Sequence, residues 1–292
     1  MSTFNGSNTD VTPTGANHAG EIWLQNEMGV RAIGEKRSAT MLTSAFTERQ
    51  RDFIASRPFF LTSHVRSNSI PKAGLIKGQS DFFTFTGQGT VLLSKTNSQF
   101  LTGDKIVAGD YFGFLAIDFE SRNRARINTR VIAECDQYWE LQIDQLYGNC
   151  SKYIAPHQWS PNVFLTHSKR SIFSSLNSNL QDKIRNAKTF FIASSSGPAN
   201  SHSHNASGAD ISHRGIDSEG FHVRDNKIRF VDYPGNNMFN TLGNLKQYPR
   251  ASLLFVDFLT GERILCEGDV TLLRNGAHFD TELSIQQVTA WN

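Results

Sequence analysis

The sequence predicts a mainly β protein with flanking helices, built from two copies of one β-domain in tandem. Three observations predict it. From Pro58 onward, short segments rich in aromatic and β-branched residues recur between Gly, Asn and Asp turns, which is the pattern of strands and tight connections. The order of a helical segment followed by about six such segments occurs twice. FLAIDFESRNRARINTRVIA, 114–133, also aligns without a gap on LFVDFLTGERILCEGDVTL, which starts at residue 254. Ile117-Asp118-Phe119 then falls on Val256-Asp257-Phe258, Arg124 on Arg263 and Val131 on Val270. At the same offset NSQFLTGDKI, 97–106, falls on NNMFNTLGNL, 236–245, and upstream FFLTS, 59–63, resembles FFIAS, 190–194. Shared order and near-constant spacing mark a duplication rather than chance apolar matches.

Taken in order, residues 1–17 are polar and predict a disordered start. Residues 18–55 predict a helical arm, with apolar Ile22, Trp23, Met28 and Val30 and a new turn opening at Thr47. Residues 56–160 form the first β-domain, with FFLTSHV, FFTF, TVLLS, YFGFLAIDF, INTRVIAE and YWELQIDQL as strands. A link and connecting helix occupy 161–187, the helix read over 171–186 from Ile172, Leu176, Leu180 and Ile184. The second β-domain, 188–292, carries TFFIASS, DISHRGI, FHVRD, KIRFVDY, ASLLFVDF, RILCEGDVTLL and HFDTELSIQQV.

Composition narrows the function. The 292 residues are 38% hydrophobic and 19% charged, with 22 Phe and a formal net charge of +2. That supports a packed core and gives no electrostatic case for nucleic acid or an acidic membrane surface as partner. No apolar run approaches the roughly 18 residues of a membrane span, and the polar N-terminus predicts no secretory signal. Cys135, Cys150 and Cys266 are far apart and form no CxxC. A cytoplasmic, reducing location is expected. No Walker sequence, strand-linked GxGxxG or Ser-His-Asp arrangement appears.

The stretch VDYPGNNMFNTLGN, 231–244, is the one that points to chemistry. It places Asn236, Asn237, Asn240, Thr241 and Asn244 around Gly235 and Gly243 at the end of a strand, where the first copy has only TNSQFLTGDK. Core positions match between the copies while these polar positions diverge. One reading is an exposed turn. The other is an anion cradle, because Thr and Asn side chains and Gly-freed N–H groups supply donors and Arg214 supplies a cation.

The residues FFIAS, ADISHRGI, GNNMFNTLGNL, the Pro-Arg-Ala strand and the Asp-Phe to Gly-Glu-Arg hairpin, over about 188–272, resemble the pyridoxamine 5′-phosphate oxidase-like group of FMN-binding split-barrel proteins. HAGEIWLQNEMGVRA and the barrel ending in YGNCSKYI extend the resemblance to the two-barrel branch of that group. The resemblance implies two tandem split β-barrels, with FMN bound by the second and its ring at a barrel–barrel or subunit interface. Carried over by position, Ser212, Arg214, Asn237, Asn240 and Thr241 would face the phosphate, and Asp232, Tyr233 and Arg263 would lie beside the ring. Asn240-Thr241 stands where the oxidases proper have Arg-Lys, and the chain lacks their C-terminal Arg-x-His, so pyridoxamine phosphate is not the expected substrate. The implied activity is an FMN-dependent oxidoreduction of a small molecule, with NADH or NADPH as donor and a homodimer among the possible assemblies. The competing reading is a binding or interaction protein that kept the fold without turnover. Leu101 and Asp104 replace Asn240 and Gly243 in the first copy, so that copy is expected to hold no phosphate. His202 and His204 in the Ser/Gly/Asn loop lack further ligands at metal-site spacing, so a mobile connection and no metal are expected. Cys150 reads as a buried structural thiol, or with Lys152 beside it as a reactive one.

Overall fold

A computed structural model describes residues 16–43, 47–67, 69–79, 81–87, 89–101, 105–148, 153–154, 169–199, 208–217 and 219–291. The expected disordered start lies outside them except for Ala16 and Asn17, as do Asp104, Cys150 and the His202–His204 loop. The arm is three helices: α1 (Ala19–Glu27), α2 (Arg31–Met41) and α3 (Glu48–Ala55). Gly29, in the left-handed region at φ 66°, separates the first two. Thr47 opens the third: its Oγ1 accepts from Gln50 N at 3.3 Å while Gln50 Oε1 accepts from Thr47 N at 2.9 Å, a reciprocal cap.

The first barrel follows as β1 (Phe59–Val65), β2 (Lys72–Gly78), β3 (Phe83–Thr86), β4 (Thr90–Ser94), β5 (Ser98–Phe100), β6 (Tyr111–Asp118), β7 (Asn123–Glu134) and β8 (Tyr138–Gly148). The second has β9 (Arg170–Phe173), α4 (Ser178–Asn186), β10 (Thr189–Ser195), β11 (Ala209–Gly215), β12 (Phe221–Arg224), β13 (Lys227–Val231), α5 (Asn240–Gln247), β14 (Arg250–Val256), β15 (Arg263–Asn275) and β16 (His278–Trp291). All the pairings are antiparallel. The sheets run β3-β4-β8-β7-β6-β1-β2-β5 and β11-β10-β14-β15-β16-β13-β12, with β9 added on β16. Matching β1 to β10, β2 to β11, β3 to β12, β4 to β13 and β6–β8 to β14–β16 makes the two orders identical except for β5 and β9. The fold is two tandem split β-barrels.

The duplication holds at the level of register. Ile117 pairs with Arg124 and Val256 with Arg263, as the gapless alignment requires. A register shift falls between Asn128 and Thr129 and again between Glu267 and Gly268, positions that the alignment superposes. One match is corrected. Leu61 lies opposite Leu115, but it is Phe191 that lies opposite Leu254. Phe60 is therefore the counterpart of Phe190, and FFLTS is offset from FFIAS by one residue. A one-residue slip would exchange the faces of a strand. Phe60 and Phe190 each fill their own barrel, while Leu61 and Phe191 belong to the layer between barrels. The connecting helix is also shorter than expected. Asn177 Oδ1 accepts from Leu180 N at 2.9 Å and starts α4 at Ser178, while Ile172 lies in β9 and is 57% exposed.

Three apolar layers result. One fills each barrel, and the third joins them through Phe59, Leu61, Leu115, Phe191, Leu254 and Leu265. β1 and β10 are buried along their whole length because both faces are covered. A buried polar cluster crosses the same interface. Asp210 of β11 accepts from Tyr147 Oη at 2.9 Å and Asn128 Nδ2 at 3.0 Å in the first barrel, and from Asn244 Nδ2 of α5 at 2.7 Å. Arg126 donates to Tyr147 Oη at 3.0 Å. Such a cluster fixes how the barrels sit, since each member left unpartnered would cost roughly 1–3 kcal/mol. No helix among the described residues is long and apolar enough to cross a membrane.

Candidate functional site

The second barrel opens at one end into a cavity of about 560 Å³. Its floor is apolar: Phe190, Phe221, Phe230 and Phe279 come from four strands, and Phe239 and Leu242 from the approach to α5 and its first turn. Phe190 and Phe230 pack at 4.9 Å between centroids with planes at 64°, the edge-to-face geometry that rings prefer. The polar part of the lining carries Arg37, Arg124, Arg126 and Arg214 together with Asp217 and Asp232. Met28, Arg37 and Met41 of the helical arm complete the wall.

The stretch singled out in the sequence forms much of this polar lining. β13 ends at Val231, and Asp232 N–H still donates to Phe279 O at 3.0 Å. Pro234 and Gly235 then turn the chain, and Asn236 Oδ1 accepts from Met238 N at 3.1 Å. Asn237 and Phe239 both take the left-handed conformation, at φ 60° and 62°. Non-glycine residues held there store strain of roughly 1–3 kcal/mol each, a feature that gathers at binding sites. Gly243 N–H makes the first bond of α5, to Phe239 O at 2.7 Å. The N–H groups of Asn240, Thr241 and Leu242 precede it and present the positive end of the helix.

Arg214, Asp232, Tyr233, Asn237, Asn240 and Thr241 all line the cavity. Ser212 lies behind them, buried, with its Oγ 2.8 Å from Thr241 Oγ1. Arg214 Nη2 stands 2.8 Å from Asp232 Oδ1, and Arg214 Nε is buried without a hydrogen bond. Burial pushes the Asp232 carboxyl up, against the pull of Arg214. Tyr233 Oη donates to Asp217 Oδ2 at 2.6 Å, and that bond raises the phenol to about 12 and lowers the aspartate. Asn240 Nδ2 donates to Glu21 Oε1 of α1 at 2.6 Å.

Arg263 is placed elsewhere. It is 3% exposed, donates Nη1–H to Gly261 O at 2.9 Å and lies over Trp291 at 5.6 Å. Burial pulls its pKa down to about 10. Its repeat, Arg124, is the one that reaches the cavity, because each barrel turns its β6–β7 or β14–β15 hairpin toward the other. The duplication carried that signal: in a pseudo-dimer, a residue that crosses the interface serves the partner's site. The contributions of Arg126, Tyr153 and the arm had no signal of this kind. Among the described residues no group of His, Cys, Asp and Glu is arranged to hold a metal ion.

No family model and no curated protein matches the chain. The matches among solved structures include two proteins. The Bacillus subtilis inhibitor of motility MotI/DgrA has 9% identity and a TM-score of 0.20 over 78% of this chain and 87% of its own. The E. coli heme oxygenase ChuS has 8% identity and a TM-score of 0.18 over 90% and 89%. At those scores neither likeness bears on what this chain does.

Proposed function

We propose that the cavity of the second barrel binds FMN, and that the chain is a flavin-dependent oxidoreductase acting on a small molecule with NADH or NADPH as electron donor. One observation carries this reading: six of the eight residues that the family resemblance assigned to a flavin, all but Ser212 and Arg263, line one cavity with an aromatic floor and arginines in its polar part. The donor set suits the group. The cavity falls in the range of roughly 300–1,000 Å³ typical of small-molecule sites. Arg214 and the first turn of α5 offer a cation and helix N–H groups to a phosphate, and the phenylalanines offer an apolar bed to a planar ring. When bound, a flavin supplies the electron transfer, and the residues here bind, orient and shield it. Arg124 and Arg126 reach the cavity from the first barrel of the same chain, which supports one site per chain without a second copy. Unpaired Cys135 and Cys266 suit the cytoplasmic setting of such chemistry.

A second reading, a protein that kept the fold without turnover, draws on a specific observation. Asn240 already bonds Glu21, Thr241 contacts Ser212, and Arg214 faces Asp232. An arriving phosphate must compete with these partners. Titration of FMN into the purified chain, followed by flavin fluorescence, separates the readings. The first expects saturation at one equivalent per chain and bleaching of the bound flavin by NADH or NADPH. Saturable binding with no bleaching supports the second reading, and no uptake of FMN removes the flavin altogether.

A further inference from the structure

Glu21 lies in the first turn of α1 and is buried at 2% exposure. Three donors face its two oxygens. Oε1 accepts from Asn240 Nδ2 at 2.6 Å. Oε2 accepts from the backbone N–H of His18 at 3.1 Å and from Asn17 Nδ2 at 3.2 Å. Asn240 lines the cavity and Glu21 does not. The amide nitrogen of Asn240 is thus committed to a residue outside the cavity lining, which leaves its carbonyl oxygen as the amide atom able to face the cavity.

We propose that Glu21 is a positioning residue that sets the hydrogen-bonding polarity of the cavity at Asn240. As a carboxylate it makes Asn240 an acceptor, so the site takes a ligand hydroxyl or N–H at that point and disfavours a phosphate oxygen. This rests on the flavin reading above and refines it: Arg214 and the α5 N–H groups hold the phosphate, and Asn240 stands beside it without donating to it while Glu21 is a carboxylate.

The donors around Glu21 dictate what happens when its carboxylate is lost. The His18 N–H belongs to the backbone and cannot turn away, so the Oε2 position must remain an acceptor. In Glu21→Gln the new amide therefore places its oxygen there and its NH₂ against Asn240. Asn240 must then rotate, offering Oδ1 to the glutamine and its own NH₂ to the cavity. Protonation of Glu21 at Oε1 has the same effect. Burial and the charge of Asp210 push Glu21 up to about 8, with neutral His18 the other titratable group beside it. Comparisons therefore belong well above that pH, where the wild-type carboxylate is present.

The test uses the full chain with FMN and riboflavin as probes. Glu21→Gln is expected to raise the ratio of FMN to riboflavin affinity roughly ten-fold or more, the effect of one added hydrogen bond to a charged group. In an Asn240→Leu background the same substitution should leave the ratio unchanged. A rise that survives without the Asn240 amide means that Glu21 acts by charge alone, and overturns the proposal. A second readout needs no ligand. The Asn240 side-chain NH₂ protons, identified by NMR as those missing from Asn240→Leu, should exchange slowly in the wild type and faster in Glu21→Gln. Equal exchange overturns the inference. Failure of every variant to bind flavin, with the exchange difference intact, overturns the flavin reading and leaves the role of Glu21 standing.

Discussion

Replacing Gly243 by alanine sets two physical effects against each other and reads out how the arm is held. Gly243 sits inside α5, where alanine is intrinsically favoured over glycine by about 0.8–1.0 kcal/mol. If α5 were an ordinary surface helix, the substitution would stabilise the protein. The structure predicts the reverse. A Cβ at Gly243 would stand 2.6 Å from Glu21 Cγ, 2.7 Å from Glu21 N and 2.9 Å from Glu21 Cα. Two of those atoms are backbone, so no side-chain rotation relieves the contact. α1 must back away, loosening Leu24 from the core and stretching the Glu21 to Asn240 bond. Overpacking of this kind costs about 1–3 kcal/mol, which outweighs the gain in propensity at all but its lower end. For a chain of this size the net loss corresponds to a fall in Tm of up to about 4 °C. Scanning calorimetry measures it, with limited proteolysis of the arm as a second observable. A higher Tm for Gly243→Ala would refute the close α1–α5 contact and everything built on it.

The buried carboxyl and imidazole of the arm make stability depend on pH in opposite senses. Glu21 is raised from 4.5 to about 8, so its contribution is complete below pH 4.5 and is lost as pH rises through 8; about 2 kcal/mol should go between pH 6.5 and 8. Tm is expected to fall over that range in the wild type and to stay level in Glu21→Gln. His18 is lowered from 6.5 to about 4 by burial, so its contribution is present above pH 6.5 and lost as pH falls toward 4; His18→Asn should flatten the acid side of the same curve. Thr241→Val leaves Ser212 Oγ, 2.8 Å away and fully buried, without that partner, so chemical denaturation should show a loss of about 1–3 kcal/mol; unchanged stability with weakened FMN would mean that the hydroxyl serves the ligand instead. Arg214→Ala should weaken FMN, leave riboflavin nearly unaffected and reduce the salt dependence of FMN binding; equal losses for both ligands would place the phosphate elsewhere.

Alternation, turn residues and the repeated order of segments were enough to read the two barrels, most of their strands and the duplication, because burial along a strand is written into its own side chains, but β2, β5 and β9 were not read. The stretch 231–244 announced itself in the same way, by a density of amides and glycines that a core does not need, and it does line the cavity. Other features were decided only by packing. Where the second copy turns through Asn237–Phe239 into α5, the first copy runs the matching Ser98–Phe100 as a strand against β2; the sequences there differ by a few polar residues, and the neighbours choose the conformation. Arg124 rather than Arg263 reaches the cavity because the β6–β7 hairpin of the first barrel packs on the second, with Phe119 against His213 at 6.2 Å between centroids. Gly243 and Asn240 look like ligand-binding residues in isolation, yet one is small to admit α1 and the other bonds Glu21, 219 positions away in the chain. No local pattern encodes a contact across that separation. It exists because burying a carboxylate demands donors, and the fold brings the Asn240 amide to the one place where Glu21 needs it.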